Sequence, residues 1–165
     1  VAPGIRAAAA IDAAEAEAIA KTKLENNIRV DDTKQYDKFR MPDGESWDWA
    51  KYAPNDGVVP GTTTTAMMRE GDMLDRFGSR QGAYMSPAGT PFDQRSLPPG
   101  KIADPYEIYT VLKPFKVSQE SIAPAFDQKG GGTQVRAIIP EVQNRFANID
   151  ELIRFRYLKD PKVRP

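Results

Sequence analysis

The sequence contains neither cysteine nor histidine among its 165 residues. Without cysteine there is no disulfide, no thiolate nucleophile and no cysteine-ligated zinc. Without histidine there is no Ser-His-Asp triad, no imidazole proton shuttle and none of the usual transition-metal ligands. We therefore predict no metal site, and any catalysis must use carboxylates, hydroxyls, amides, lysine or arginine.

The sequence also lacks a net charge and a long apolar run. The 23 basic and 23 acidic residues balance, so no overall field attracts nucleic acid or an anionic membrane. No apolar run approaches the roughly 20 residues of a membrane-spanning helix. The length suits one domain. Because the chain starts without methionine or a secretory signal, we expect it to be a domain of a larger protein.

The N-terminal part of the chain changes from helix-forming to aromatic residues. Residues 7–27 are rich in alanine and glutamate and predict a helix with a thin apolar stripe. Trp47, Trp49 and Tyr52 then follow within six residues. Aromatic side chains at this density favour packing onto a core, with stacking on a ligand as the alternative.

The remainder predicts short strands separated by turns and closed by a helix. Residues 58–68 contain two valines and four consecutive threonines, residues 106–113 alternate in polarity, and residues 133–139 form a similar run. A short terminal helix is predicted for residues 148–158, with Asn148 or Asp150 as its cap. Many Pro and Gly turns lie between these elements. The pattern predicts an α+β domain around a small mixed or antiparallel sheet, with peripheral helices at both ends.

The stretch Leu74–Phe92, LDRFGSRQGAYMSPAGTPF, has no regular helical or alternating period. A long irregular stretch in a compact domain is usually a binding loop or disordered. Its apolar residues argue against a solvated linker, and its three glycines permit turns and close backbone approach. We predict a structured loop that presents Arg76 and Tyr84. A hairpin with an arginine at its rim is the alternative.

Several motifs occur together in a fixed order. They are LDRFG at residues 74–78, GAYMSPAGTPFDQRSLPP at 82–99, PYEIYTVLKP at 105–114 and GGGTQ at 130–134. Together they resemble the tuberculosis necrotizing toxin family, and the resemblance extends from about Tyr52 to Leu158. We accordingly divide the chain into a helical extension that packs on the domain, residues 1–50, and a toxin domain, residues 51–165.

The resemblance implies an NAD glycohydrolase, which splits NAD⁺ or NADP⁺ into nicotinamide and the ADP-ribose product. The dinucleotide is then the substrate, and no separate cofactor is expected. It also implies a fold related to that of ADP-ribosylating toxins and a toxin domain of a secreted or injected bacterial protein. Such a toxin acts in the target-cell cytoplasm. Its expected partner is a dedicated immunity protein that occludes the active-site cleft.

The family's functional positions fall on Arg76, Tyr84 and Gln134. Where the family's necrotizing toxin has a histidine, this chain has Glu107, which puts the role of that position in doubt. We assign catalysis to Gln134, Arg76 and Glu107. The predicted substrate-binding residues are Arg76, Tyr84, Phe77, Ser79 and Gly132.

The chemistry fits these side chains. A planar guanidinium such as that of Arg76 can hold a diphosphate bidentately. Loss of nicotinamide builds positive charge on the ribose, as in glycoside hydrolysis, and an oxygen of Glu107 or Gln134 can stabilise that charge. Tyr84 can stack on nicotinamide or bound the ribose pocket. Nicotinamide leaves as a neutral molecule, so no strong general acid is needed.

Other interpretations remain at this point. Glu107 as a solvated strand residue is one, and an Asp75–Arg95 ion pair that only braces the loop is another. The triple glycine at 130–132 would let the backbone approach a ligand. The chain could also be a protein ADP-ribosyltransferase or a non-enzymatic binding module. Transferases of the diphtheria type need a histidine, and the Glu-x-Glu pair of the cholera type does not occur after Glu17.

Overall fold

The computed structural model of the chain describes residues 14–20, 39–43, 47–54, 57–126 and 128–162. Residues 14–20 are helical and are called α1. The other α-helices are α2 (Trp49–Tyr52) and α3 (Ile149–Arg154). Two short 3-10 helices, Phe92–Gln94 and Pro99–Ala103, lie in the middle of the chain. None of the described helices is long and apolar enough to cross a membrane.

Six strands form two three-stranded antiparallel sheets, ordered β1-β5-β6 and β3-β2-β4. The strands are β1 (Thr64–Met68), β2 (Met73–Phe77), β3 (Ser86–Pro87), β4 (Tyr106–Thr110), β5 (Phe115–Ser121) and β6 (Thr133–Ile138). The strands predicted within residues 58–68, 106–113 and 133–139 are therefore confirmed.

The two sheets meet where the segment before β3 approaches β6. Met85 and Val135 exchange two backbone hydrogen bonds there, of 3.0 and 2.8 Å. A shared apolar core lies beneath this junction, and burial of its side chains is the main stabilising contribution. Fully buried members from both sheets and α3 include Leu74, Tyr109, Val117, Val135 and Leu152.

Helix α3 begins at a capping box, as its sequence predicts. The Asn148 side chain accepts from the Glu151 backbone N–H at 2.8 Å, and the Glu151 carboxylate accepts from the Asn148 N–H at 3.0 Å. The first helical N–H groups, of Ile149 and Asp150, donate to the carbonyls of Gly82 and Arg80. The helix start therefore holds the loop between β2 and β3.

The prediction of an irregular loop from Leu74 onward is wrong for its first residues, which form β2. This strand shows no alternating pattern because it is covered on both faces, and one buried position is the charged Asp75. Strand β5, in a segment that predicts only mixed structure, was missed for the same reason. Its Ser118 and Glu120 are buried polar residues.

Helix α1 packs on the domain through small residues. Ala16 is fully buried against Ala88, and Ala20 against Phe77 and Phe92. The remainder of the helix predicted for residues 7–27 lies outside the described residues. Helix α2 crosses the predicted boundary between residues 50 and 51, and that boundary stays a prediction.

Candidate active site

A cavity of about 700 Å³ opens beside the junction of the two sheets, a volume typical of small-molecule sites. Among the described residues that line it, three are cationic and none is Asp or Glu. The cavity therefore favours an anionic ligand. The lining residues are Trp49, Ala50, Ala53, Pro54, Gly57, Arg76, Phe77, Gly82, Ala83, Tyr84, Arg95, Ser96, Leu97, Lys101, Ile122 and Gln134.

Arg76 reaches this cavity from β2 and is held by the loop that follows. Its Nε donates to the carbonyl of Ser79 at 2.8 Å, and its Nη1 donates to the carbonyl of Tyr84 at 3.1 Å. A Cβ at Gly82 would overlap the guanidinium, and one at Gly78 would lie 2.8 Å from Nη2. The glycines of LDRFG and GAYMSP therefore make the slot that the guanidinium occupies.

The charge of Arg76 is left uncompensated in this slot. Burial lowers the pKa of its guanidinium, an effect that Tyr109 and Asp104 oppose. Of the other cations in the wall, Arg95 pairs with Asp75 and Lys101 with Asp104. No ion pair within the described chain involves Arg76. A desolvated cation without a carboxylate is costly unless an anion joins it.

Gln134 lies on β6, on the face opposite to the buried Val135. Its Nε2 is buried and has no hydrogen-bond partner within the described part of the chain. Because buried amide donors are almost always satisfied, this group is suited to donate to a ligand. Gln134 and Arg76 line the same cavity, as the sequence predicts.

Tyr84 forms a further part of the wall and is 39% exposed. The guanidinium carbon of Arg136 lies 5.1 Å from the Tyr84 ring centroid and 4.2 Å from that of Phe146. Arg136 is itself fixed by an ion pair to the buried Glu120, with Nη2 to Oε1 at 2.7 Å. The tyrosine ring is therefore supported from the protein side.

A smaller recess of about 40 Å³ adjoins the cavity. It shares Arg76, Tyr84 and Gln134 with the main cavity and is also lined by the buried Asp75, Met85 and Ser86. Of the residues that the sequence assigns to binding and chemistry, Arg76, Tyr84 and Gln134 therefore lie together at one end of the site. Phe77, another predicted binding residue, also lines both spaces.

The Asp75–Arg95 ion pair is confirmed as a brace beneath this end. The two side chains form a bidentate pair of 2.6 and 2.7 Å, and both are buried. The Tyr106 hydroxyl donates to the Asp75 carboxylate at 2.7 Å, and the Gly89 N–H at 2.9 Å. Burial, followed by the Asp75 charge, raises the pKa of Tyr106. The network joins β2, β4 and the segment after β3.

Glu107 does not lie where the sequence analysis places it, because it is not among the residues that line the cavity or the recess. Although Glu107 is opposite Arg76 in the β2–β4 register, both of its oxygens accept from Arg80, at 2.8 and 2.9 Å. The same guanidinium also binds Asp160. These hydrogen bonds to Arg80 lower the pKa of the Glu107 carboxyl. The structure places Glu107 as a support of the β2–β3 loop.

Two of the predicted binding residues, Ser79 and Gly132, contribute backbone atoms rather than side chains. Ser79 supplies the carbonyl that holds Arg76 and does not line the cavity. The Gly132 N–H donates to the Gln94 carbonyl, and a Cβ at Gly132 would lie 2.8 Å from that oxygen. A Cβ at Gly130 would meet the Ile122 carbonyl. Gly130 and Gly132 therefore have to be glycine, because another backbone segment lies too close to each for a Cβ.

Sequence reasoning missed most of the wall, including Trp49, Lys101 and Ser96. Trp49 belongs to the aromatic cluster that was assigned to core packing, and Lys101 lies in a Pro/Gly-rich segment without a motif. Ser96 has φ +50° and donates to the Ala123 carbonyl at 2.6 Å. Only the aromatic density around Trp49 was a usable signal. The described residues contain no cluster of three or more acidic side chains that could hold a metal ion.

Residues 67–160 match the family described as tuberculosis necrotizing toxin, which is more than half of the chain. The chain belongs to the tuberculosis necrotizing toxin family. Arg76, Tyr84 and Gln134 lie within the matched residues. Trp49 and the rest of α2 precede them.

Two named relatives of this family member share part of its sequence. The conidial surface nicotinamide adenine dinucleotide glycohydrolase nadA of Aspergillus fumigatus is 43% identical over 76 residues, 42% of this chain and 32% of nadA. The outer membrane channel protein CpnT of Mycobacterium tuberculosis is 34% identical over 119 residues, 64% of this chain and 14% of CpnT. The matches thus span about a third and a seventh of these relatives.

A solved structure of the family supports the fold assignment. The tuberculosis necrotizing toxin complexed with its immunity factor IFT is similar with a TM-score of 0.60 and 30% identity. The match covers 73% of this chain and 65% of that chain. The predicted α+β toxin fold is therefore confirmed.

Proposed function

We propose that this domain is a toxin that hydrolyses NAD⁺ to nicotinamide and ADP-ribose. The observation that carries the proposal is the pairing, in one cavity without a lining carboxylate, of an uncompensated guanidinium and an unsatisfied amide. The guanidinium of Arg76 suits a diphosphate. The amide of Gln134 suits the ribose next to the glycosidic bond that breaks. Kinship with a fungal NAD glycohydrolase supports the same reaction.

Binding centres on Arg76. Two of its five N–H groups donate to backbone carbonyls. The other three have no acceptor among the described residues, so those that face the cavity can donate to oxygen atoms of a diphosphate. Because those two backbone bonds fix the plane of the guanidinium, little side-chain entropy is lost when substrate binds. Lys101 lines the same wall, where its ammonium group pairs with Asp104 at 3.4 Å.

The chemical step breaks the bond between the ribose C1′ and the nicotinamide nitrogen. Nicotinamide leaves as a neutral molecule with the bonding electron pair, and the ribose becomes an oxocarbenium-like cation. Gln134 orients the nicotinamide ribose by donating from Nε2 to one of its oxygens. Water adds to C1′ and releases its proton to solvent, so no histidine is required.

The proposal extends to NADP⁺ and to a biological setting. The cationic wall can accept the additional 2′-phosphate of NADP⁺. The domain acts in the cytoplasm of a target cell after secretion or injection. A dedicated immunity protein occludes the cavity in the producing cell, as supported by the solved complex of the related toxin with its immunity factor.

The direct test incubates the purified domain with NAD⁺ and separates the products by chromatography. Hydrolysis yields nicotinamide and free ADP-ribose in equal amounts. A parallel reaction contains a cell extract and NAD⁺ labelled in the adenosine half. Label that becomes covalently attached to protein would indicate a transferase instead. Absence of nicotinamide release from the folded domain would contradict the proposal.

A further inference from the structure

Trp49 is an exposed aromatic residue in the cavity wall that the family's motifs do not include. It is 44% exposed and lines the cavity, although it lies upstream of residues 67–160. Single exposed apolar side chains are common on protein surfaces, and the described chain has several others. The exposed ring of Trp49 is informative because it lines the cavity.

The Trp49 ring is held in place rather than projecting freely. It packs edge-on against Phe126, with ring centroids 5.2 Å apart and planes at 83°. Helix α2 starts at Asp48, whose side chain accepts from the Lys51 N–H at 3.1 Å, and it ends with the Ala53 N–H bonded to the Trp49 carbonyl at 2.8 Å. A fixed ring with exposed surface is pre-organised for stacking.

The position of Trp49 within the site is also informative. Arg76, Tyr84 and Gln134 line both the cavity and the recess, whereas Trp49, Ala50, Ala53 and Pro54 line the cavity alone. The α2 wall is therefore separate from the end where the glycosidic bond is cleaved. A dinucleotide with nicotinamide at the recess and its diphosphate at Arg76 extends its adenosine half into the rest of the cavity.

We propose that Trp49 forms an adenine subsite, in which its indole stacks on the purine ring of the substrate. This inference rests on the proposed function, since it takes the cavity to hold a dinucleotide. It places part of the substrate site in the segment before the family's matched region. Stacking on a base requires no hydrogen bonds to its edges, so it suits a wall built of Trp, Ala and Pro.

Trp47 provides a matched control, because the chain contains only two tryptophans. The Arg40 guanidinium covers the Trp47 ring at 4.1 Å, and Trp47 also packs against Phe126 at 6.4 Å. Trp47 does not line the cavity. A residue with a purely structural role in this cluster should therefore behave like Trp47.

The kinetic test compares Trp49→Ala, Trp49→Phe and Trp47→Ala with the wild-type chain. Loss of base stacking is expected to raise the KM for NAD⁺ roughly ten- to a hundredfold in Trp49→Ala. The kcat should stay within about threefold, because the adenine does not take part in bond cleavage. Trp49→Phe should restore most of the affinity, and Trp47→Ala should leave KM unchanged. An unchanged KM in folded Trp49→Ala would overturn the inference.

A binding measurement provides a readout that does not depend on turnover. In Trp47→Phe, Trp49 is the sole tryptophan, and we expect ADP-ribose to quench its fluorescence while ribose 5-phosphate does not. Quenching without NAD⁺ hydrolysis would support the adenine subsite and contradict the proposed reaction. Hydrolysis without quenching would support the reaction and contradict the subsite.

Discussion

At the scale of single residues, the site depends on polar groups that the fold leaves unsatisfied. The Arg76 guanidinium has no carboxylate partner in the described chain, and the Gln134 Nε2 lacks a hydrogen-bond partner there. Buried groups of this kind lower stability unless a ligand completes them. Arg76 and Gln134 combine this property with a place in the cavity wall, whereas Asp75 and Arg95 satisfy each other.

Arg76→Ala should mainly weaken substrate binding. The diphosphate loses charge-assisted hydrogen bonds, which predicts a rise in the KM for NAD⁺ of about ten- to a hundredfold. Arg76→Lys should recover only part of the loss, since an ammonium group keeps the charge without the planar fork. Steady-state kinetics with both variants test this. Equal KM values in Arg76→Ala and wild type would remove Arg76 from the site.

Gln134→Ala should instead reduce turnover. An interaction that strengthens as the glycosidic bond breaks changes kcat more than binding, and loss of one such group typically costs roughly a hundred- to a thousandfold. We expect ADP-ribose affinity and melting temperature to stay near wild-type values. Calorimetry and nicotinamide release measure the two properties separately. Near-normal turnover in the folded variant would exclude the role proposed for Gln134.

At the scale of elements, the β2–β3 loop is what positions Arg76. Its backbone carbonyls accept hydrogen bonds from the Arg76 guanidinium. The first N–H groups of α3 and the ion pairs of Arg80 to Glu107 and Asp160 fix the loop in turn. These contacts come from β4, α3 and the C-terminal segment. Changes in the loop or its supports should therefore alter activity without contact to substrate.

Gly82→Ala should impair binding much as Arg76→Ala does, because the new Cβ would displace the guanidinium. Its backbone φ is not in the left-handed region, so the melting temperature should change little. In an Arg76→Ala background the substitution should add no further defect. Gly100→Ala, whose Cβ would make only ordinary contact with Trp47 at 3.6 Å, is the control. Additive effects of Gly82→Ala and Arg76→Ala would contradict this account.

The Arg80 ion pairs should make the domain sensitive to acid. Hydrogen bonds from Arg80 lower the pKa of Glu107 and of Asp160 from their ordinary values of 4.5 and 3.8. A carboxyl whose pKa is lower in the folded state contributes stability above its unfolded pKa and loses it as the pH falls through the folded value. This contribution is therefore present at pH 7 and declines below about pH 4.5.

Urea unfolding at several pH values tests this expectation. Glu107→Gln should be less stable than wild type at pH 7, and the difference should shrink as the pH falls towards 2. Glu70→Gln, at an exposed turn, is the control. A stability difference that is independent of pH would show that Glu107 does not stabilise the loop through its charge.

At the scale of the whole molecule, the cavity is assembled from segments far apart in the chain. Its wall draws on α2, β2, the segment before β3, the second 3-10 helix and β6. The site therefore forms only when both sheets have met at the Met85–Val135 contact. Fragments that separate α2 from the sheets should lose part of the wall.

Expression of the domain alone in a bacterial cytoplasm should deplete NAD⁺ and arrest growth. The same chain with Gln134→Ala, at an equal soluble level, should leave both normal, because it folds but turns over slowly. Cellular NAD⁺ is measured enzymatically after induction. Normal NAD⁺ in cells that contain the soluble wild-type domain would contradict the toxin function.

The sequence by itself determined the chemistry that is available and most of the elements. The absence of His and Cys restricted the active groups, the alternation of residues 106–113 and 133–139 predicted β4 and β6, and the Asn148 cap predicted α3. These are local properties, because propensity, capping and turn preferences act over a few residues. The motifs also predicted site roles for Arg76 and Gln134, which line one cavity.

Tertiary structure alone decided which charged residues are supports and which face the cavity. Glu107 and Arg76 are opposite each other on neighbouring strands, yet Glu107 binds Arg80, which is distant in sequence and also binds Asp160. Strand β2 escaped prediction because a buried ion pair replaces an apolar residue in its pattern. The exposure of Trp49 likewise depends on where α2 packs. The Asp75–Arg95 pair was expected from the sequence, but local patterns do not encode the distant partners of Glu107 or the packing of α2.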